Sequence, residues 1–350
     1  MKTERTNSNE QCTINNVQWK KVKLGDCLTI GNGQDYKHLQ SGDIPVFGTG
    51  GVMTFVDTFL YDGETVCIGR KGTINKPMYY NGKIWTVDTL FYTHSFLNVL
   101  PKFIYYVFCN IDWNKYNEAT GVPSLSKETI YKIEISIPSL PIQRRIAAIL
   151  SSADKVIASS QKVIDKLKQI KQGMMDDLLK PKDGWRMVKL GECCEDIFSG
   201  RNTKRNDFGK YIVFGSTGII GYSETYEYDF DSVLVARVGA NAGLVNIARG
   251  LYDVSDNTLI IKFGKNIFLD YLYYLLIQMN LNQYIFGSGQ PLVTAGLLKN
   301  LEIFIPDLAE QRRISTILSG IDSKIAAEEK VLEKYKAVKK GLMEKLLNGK

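Results

Sequence analysis

The sequence predicts an α+β protein: two similar mixed domains separated by two long coiled-coil helices, forming a pseudo-two-fold internal repeat. Three observations carry the prediction. The second half of the chain restates the first element by element. Each copy opens with short β-branched and aromatic runs broken by Gly, Asp and Asn. Each copy closes with a long proline-free stretch whose apolar residues recur at alternating steps of four and three.

The repeat has an offset of about 167 residues. Trp19-Lys20-Lys21-Val22-Lys23-Leu24-Gly25-Asp26 returns as Trp185-Arg186-Met187-Val188-Lys189-Leu190-Gly191-Glu192. Val46-Phe47-Gly48-Thr49-Gly50-Gly51 answers Val213-Phe214-Gly215-Ser216-Thr217-Gly218, and Ile68-Gly69-Arg70-Lys71-Gly72 answers Val235-Ala236-Arg237-Val238-Gly239. Gly121-Val122-Pro123 matches Gly289-Gln290-Pro291, and Gln143-Arg144-Arg145-Ile146 matches Gln311-Arg312-Arg313-Ile314. A unit of this length is too long for a solenoid repeat, so a whole domain with its helix was duplicated. The expected organisation is a polar tail over 1–18, a first domain over 19–141, a central helix over 142–180, a second domain over 181–309 and a C-terminal helix over 310–350.

Within the first domain, Thr65-Val66-Cys67-Ile68 and Ile133-Glu134-Ile135-Ser136-Ile137 have strand composition. Phe103-Ile104-Tyr105-Tyr106-Val107-Phe108 and its counterpart Tyr271-Leu272-Tyr273-Tyr274-Leu275-Leu276 lead into polar residues at helical spacing, which predicts one helix inside each domain. The central helix places Ile146, Leu150, Ala153, Ile157, Ser160, Ile164, Leu167, Lys171, Met174 and Leu178 on one seam. The C-terminal helix repeats it with Ile314, Leu318, Ile321, Ile325, Glu328, Leu332, Tyr335, Lys339, Leu342 and Leu346. A helix of roughly 57 Å cannot bury such a stripe alone, so the two should pack together. Antiparallel packing closes the pseudo-two-fold; parallel packing would need a long return path. Lys171 and Lys339 would extend out of the seam near the helix ends.

The 350 residues are 44% hydrophobic and 23% charged, a globular balance that excludes disordered and fibrous classes. A formal net charge of +7 and a pI of 8.9 favour a polyanionic partner. The six cysteines show no Cys-x-x-Cys pair and no clustering with His, so they read as reduced structural thiols and not as zinc ligands. With no apolar signal core in the first eighteen residues and no run long enough to span a bilayer, the expected location is cytoplasmic.

Catalytic signals are missing. His38 and His94 stand without zinc-type partners, and neither a Ser-His-Asp pattern nor a nucleophile elbow is present. Phe47-Gly48-Thr49-Gly50 has the look of a methyl-donor loop, but Phe214-Gly215-Ser216-Thr217-Gly218 breaks the spacing and no Asp/Asn-Pro-Pro-Tyr/Phe motif accompanies it, so a turn is the better account. No phosphate-binding Gly-x-x-x-x-Gly-Lys-Ser/Thr loop occurs. No catalytic residue, metal ligand or cofactor is expected in the chain.

The doubled Trp-x-x-Val-x-Leu-Gly-Asp/Glu opening, the Pro-x-Leu-x-x-Gln-Arg-Arg-Ile helix entry and the Gly-Leu-Met type helix end resemble type I restriction-modification specificity subunits, the HsdS family. The resemblance runs from Trp19 to Leu347 and departs only where Ile142 precedes Gln143 while Glu310 precedes Gln311. It implies two target recognition domains on double-stranded DNA, one per half of a bipartite asymmetric site, spaced by helices that dock two modification (methyltransferase) subunits and, through the complex, restriction (endonuclease and translocase) subunits. S-adenosylmethionine, ATP and Mg would sit on those partners. Adenine methylation and ATP-dependent cleavage would be theirs. The competing reading is a coiled-coil interaction scaffold without DNA specificity.

Candidate DNA contacts lie in basic, turn-rich segments. Arg201, Asn202, Lys204 and Arg205 combine guanidinium, ammonium and amide groups that suit phosphates and base edges, although a solvated loop has the same composition. Arg70 and Arg237 hold equivalent places before Gly72 and Gly239, with Lys71, Asn75, Lys76 and Asn241 nearby, and their equivalence favours a shared backbone contact. Lys37 and His38 complete the set. Partner docking is expected on the outer helix faces and at the Gln143-Arg144-Arg145 and Gln311-Arg312-Arg313 entries.

Overall fold

The computed structural model describes residues 18–284 and 292–348; the tail up to residue 17, Cys12 within it, and the Gly289-Gln290-Pro291 turn lie outside the described residues. The chain folds as two compact units, Met1–Ser160 with Val331–Lys350, and Gln161–Lys330.

In the first unit, β1 (Lys20–Lys23), β2 (Thr29–Asn32), β3 (Ser41–Gly48), β4 (Gly51–Val56), β5 (Tyr61–Gly69), β6 (Met78–Thr86) and β7 (Leu90–His94) precede α1 (Pro101–Asn110), α2 (Lys127–Lys132), β8 (Glu134–Ile137) and α3 (Leu140–Leu178). Six strands form one sheet in the order β2-β7-β5-β6-β3-β4, while β1 pairs with β8. Proline at the first position of α1 is pre-set for a helix start. Ser126 caps α2 by accepting the Thr129 N–H at 3.1 Å. Phe103, Ile104, Tyr106 and Phe108 are fully buried, and the same core takes in Ile146 and Leu150 from α3 and Leu346 and Leu347 from the chain's end.

The second unit holds β9 (Arg186–Lys189), α4 (Leu190–Cys193), β10 (Cys194–Ser199), β11 (Tyr211–Gly215), β12 (Gly218–Ser223), β13 (Ser232–Ala236), β14 (Val245–Ala248), β15 (Tyr252–Val254), β16 (Thr258–Phe263), α5 (Leu269–Gln278), α6 (Ala295–Asn300) and β17 (Glu302–Ile305), with α7 (Leu308–Leu347) starting in it. Its strand order repeats the first with one break. The single strand β6 pairs antiparallel with β5 and, at its end, parallel with β3. Here β14 pairs with β13 and β15 pairs parallel with β11, so the corresponding strand is cut in two. The cut falls at Arg249-Gly250, where Gly250 has φ +72° and Asp231 accepts its N–H at 3.0 Å. Met175 and Leu178 of α3, Leu179 just beyond it, and Ile314 and Leu318 of α7 join this unit's core.

Each long helix is therefore shared, α3 leaving the first unit and α7 returning to it. Within each unit the two helical segments run antiparallel. In the second, Lys168 meets Glu329 and Lys171 meets Asp322. In the first, Lys339 meets Asp154 while Leu346 and Leu347 share a core with Ile146 and Leu150. Seam residues Ile146, Leu150, Ile164, Leu178, Ile314, Leu318, Ile325, Leu332 and Leu346 are buried, and Ile157, Leu167, Met174, Ile321 and Leu342 are half-buried. Tyr335 is 41% exposed. Lys171 and Lys339 do not extend into solvent as expected: each side chain is 20% exposed and paired with an aspartate. Nor do Gln143 and Gln311 offer docking groups, since both are fully buried.

Candidate nucleic-acid interface

At the end of β2 the chain crosses the turn that joins β6 to β7. Gly33 donates its N–H to the Leu90 carbonyl at 3.1 Å and Gln34 to Thr86 at 2.8 Å. A Cβ on Gly33 would lie 1.9 Å from the Val87 carbonyl oxygen, so glycine alone allows this approach. Asp35 Oδ1 then accepts the Lys37 N–H at 3.4 Å, an Asx turn with Lys37 exposed at its end. The crossed turn is pinned on every side. Leu90 N–H bonds Val87 across it at 2.9 Å, Val87 N–H bonds Phe47 at 3.0 Å, and the Thr89 carbonyl accepts from Arg70 and Lys71 at 2.8 and 3.2 Å.

Asp88 and Thr89 at the tip separate two hollows. One, about 750 Å³, is walled by Asp35-Tyr36-Lys37 and the Gly48-Thr49-Gly50 turn. The other, about 1040 Å³, contains Arg70, Lys71 and Lys127 opposite Glu118 and Glu128. Glu118 is occupied, accepting from the Ser126 hydroxyl at 2.7 Å and from Thr129, and these bonds hold its carboxyl below the usual range. Arg70 and Lys127 both stand over the Phe91 ring, at 5.9 and 6.0 Å from its centre.

The second unit builds the same arrangement. Gly200 donates to Thr258 at 2.9 Å, and a Cβ there would lie 2.4 Å from the Val254 carbonyl oxygen. Asn202 Oδ1 accepts the Lys204 N–H at 2.6 Å. Thr258 bonds Ser255 across the turn at 3.1 Å, Ser255 bonds Phe214 at 2.9 Å, and Arg237 donates its N–H to Asn257 at 2.9 Å. A hollow of about 1030 Å³ lies between the loop Asn202 to Asn206, the turn Gly215-Ser216-Thr217 and the tip Asp256-Asn257.

Of the residues singled out from sequence, Lys37, Arg70, Lys71, Lys204 and Arg205 line these hollows. Lys76 reaches the rim, its Nζ 3.4 Å from the Gly50 carbonyl. Among the described residues none of these six enters an ion pair. Asn202 spends its amide inside the fold, donating to Asp253 as well as closing the Asx turn. Arg201 lines none of these hollows and faces Glu227 at 3.7 Å. His38 lies outside the hollows with its ring edge-on to Trp85 at 6.0 Å. Asn75 and Asn241 are exposed and line none of them, while Arg237 is half-buried and holds the Asn257 tip through its backbone.

Thr89, Lys127 and the pair Asp256-Asn257 were not found from sequence. A signal existed: the second copy has one residue more between Arg237 and Asn246 than the first has between Arg70 and Met78, so the hydrogen bonds match Asp88 with Asp256 and Thr89 with Asn257 only after the register shifts. No catalytic grouping accompanies the hollows. His94 Nδ1 lies 2.9 Å from the Ser95 hydroxyl, and burial followed by the charge of Lys127 lowers its pKa. Among the described residues no three His, Cys, Asp or Glu side chains converge as a metal site, and no helix is long and apolar enough to cross a membrane.

The family model "Type I restriction modification DNA specificity domain" matches the chain twice, over residues 16–169 and 182–337. The chain is 27% identical over 343 residues to the type I restriction enzyme MjaVIII specificity subunit of Methanocaldococcus jannaschii, covering 83% of this chain and 78% of that one. Its fold is similar to the type I restriction-modification S subunit from M. genitalium, with a TM-score of 0.72 at 17% identity, covering 95% and 97% of the two chains. A chain from a structure on complex assembly and conformational transition of the type I system aligns with a TM-score of 0.58 at 17% identity, over 95% and 99%.

Proposed function

Since the chain belongs to the type I restriction-modification DNA specificity family, we propose that each of its units reads one half of a bipartite, asymmetric double-stranded DNA target through the hollows around its turn tip. The chain is a specificity subunit and not itself an enzyme. One observation supports the assignment of the interface above others: the same cation-bearing recess is assembled twice, from equivalent segments, with Lys37 unpaired in one and Lys204 and Arg205 unpaired in the other. Cations without carboxylate partners displace counterions from phosphates, and hollows of this width leave side chains room to meet base edges.

Methyl transfer and cleavage then fall to partners, two modification subunits and the restriction subunits, which would carry S-adenosylmethionine, ATP and Mg. The outer faces of the long helices suit their docking. Val163 and Ile170 stand seven residues apart on α3, one heptad, and are 44% and 43% exposed. A complex that reads DNA alongside these partners would work in the cytoplasm.

The test is methylome mapping in cells that carry the partner subunits, with and without this chain. A modified bipartite motif that disappears on deletion is the expected result. An unchanged methylome, together with a purified complex whose DNA binding is absent or insensitive to salt, would favour the coiled-coil scaffold instead.

A further inference from the structure

Two copies of one recess within one chain allow a division of labour to be read from their differences. Groups that match serve what both half-sites have in common, and only groups that differ can make the half-sites unlike. Lys37 and Lys204 match: each follows a crossing glycine, each is held by an Asx turn, and each is exposed and unpaired among the described residues. Asp88 and Asp256 also match, so they cannot distinguish the halves. Asp35 and Asn202 differ, but the oxygen of each is spent on its own loop. Thr49 and Ser216 differ, yet both present a hydroxyl.

Other lining positions differ too, among them Tyr36 against Thr203 and Gly50 against Thr217, but the second tip position, Thr89 in one unit and Asn257 in the other, differs on a turn whose backbone hydrogen bonds recur in both units. Both carbonyls are fixed by the backbone of the arginine that follows β5 or β13, and both turns are closed by the hydrogen bond beneath the tip. Both side chains line a hollow, and neither enters a hydrogen bond among the described residues. A free side chain on a backbone pinned from three sides is pre-organised for recognition. An asparagine amide carries the donor and acceptor that pair with N7 and N6 of adenine, whereas threonine offers a hydroxyl to any base and a methyl group to thymine.

We infer that Thr89 and Asn257 are base-reading residues that make the two half-sites differ, Asn257 at an adenine, while Lys37 and Lys204 are the phosphate contacts common to both. This rests on the DNA-recognition role proposed above.

The experiment uses the full chain assembled with its modification subunits, scored by the modified motif and by binding to duplexes substituted at each position. Asn257→Thr should relax one A·T position in one half-site, with a loss of discrimination of roughly tenfold to a hundredfold, and leave the other half-site unchanged. Thr89→Asn should alter one position in the opposite half-site. Thr89→Ser, which keeps the hydroxyl, is measured beside it because Thr89 is half-buried. Lys37→Ala and Lys204→Ala should each weaken binding alike on every sequence and reduce the slope of log K against log salt by about 0.9. Parent motifs in all tip variants of an active complex, or a lysine variant that changes base preference, would overturn the assignment alone. A wild-type complex that modifies no bipartite motif would overturn the DNA-reading role and the assignment with it.

Discussion

Asp154 accepts a hydrogen bond from the Tyr106 hydroxyl at 2.7 Å, joining the mixed domain of the first unit to its long helix. Lys339 completes the contact from α7, with Nζ 2.5 Å from the other carboxylate oxygen and 5.7 Å from the Tyr106 ring centre. The second unit repeats the triad as Tyr274, Asp322 and Lys171, at 2.7 Å for the hydroxyl and 2.6 Å for the ammonium. A lysine inside a coiled-coil seam costs desolvation, which a paired and hydrogen-bonded carboxylate offsets.

Asp154→Asn should therefore lower stability by about 1–2 kcal/mol, because the partly buried Lys339 loses its counter-charge. Lys339→Met should cost less in that background than in the wild type. Asp322→Asn acts in the other unit and shares no partner, so its effect should add. Urea unfolding of the three single variants and the two doubles checks this; strictly additive effects of Asp154→Asn and Lys339→Met would remove the ion pair from the account.

A second pair of polar anchors is buried where each long helix begins. Gln143 accepts the Leu100 N–H at 2.9 Å and donates to the carbonyls of Asn98 and Pro138 at 3.0 and 2.9 Å. Gln311 makes the same three bonds with Phe268, Asn266 and Pro306. Leucine fits the volume but strands all three backbone groups, so Gln143→Leu and Gln311→Leu should each cost about 2–4 kcal/mol. Arg144 is exposed beside it, and Arg144→Ala should change stability by less than about 0.5 kcal/mol. Thermal melts of the three variants separate these roles.

The glutamines show which parts of the molecule were legible in the sequence. Their repetition in the two copies marked the helix entries, and seam periodicity located both long helices, because duplication and heptads are patterns along the chain. Whether Gln143 faces solvent or core depends on where Asn98 and Pro138 fold, which no local pattern records. Lys171 was misjudged for the same reason: its aspartate lies on the other helix. At the recesses, cations such as Lys204 and Arg205 were visible as composition. The tips carrying Thr89 and Asn257 were not, since hydrogen bonds from β3 and the end of β5 define them and an extra residue between Arg237 and Asn246 displaces one of them in the second copy.

Thiol reactivity follows from burial. Desolvation pushes the Cys67 thiol up to about 12, with the Thr65 bond opposing it, and pushes Cys194 up to about 12 with the Cys193 charge adding. Both should resist alkylation at pH 8 in the native protein and react once it is unfolded. The folded-state value exceeds the unfolded value of 9.0, so this stabilising contribution is fully present below pH 9 and fades as pH rises toward 12. Cys67→Ala should flatten the loss of stability above pH 9. Rapid labelling of Cys67 in native protein at pH 8 would contradict its burial.

The crossing glycines give a test that treats the two units separately. A Cβ on Gly33 meets only backbone, the Val87 carbonyl oxygen at 1.9 Å and the Thr86 oxygen at 2.6 Å, so no rotamer change can relieve it. On Gly200 the equivalent contacts are 2.4 and 2.5 Å, again all backbone, but looser. Either alanine forces β2 or β10 away from the turn it crosses, at a cost of about 1–3 kcal/mol, with Gly33→Ala the more severe. The displacement falls on the Asx turn that carries Lys37 or Lys204 and on the tip that carries Thr89 or Asn257. Each substitution should therefore degrade modification through one half-site only, and Gly33→Ala should spare the half-site that Asn257→Thr alters. Urea melts and mapping of modified sites on the same two variants check both parts. A Gly33→Ala complex with wild-type stability would show that the crossing is not tight, and equal damage to both half-sites would show that the recesses do not act independently.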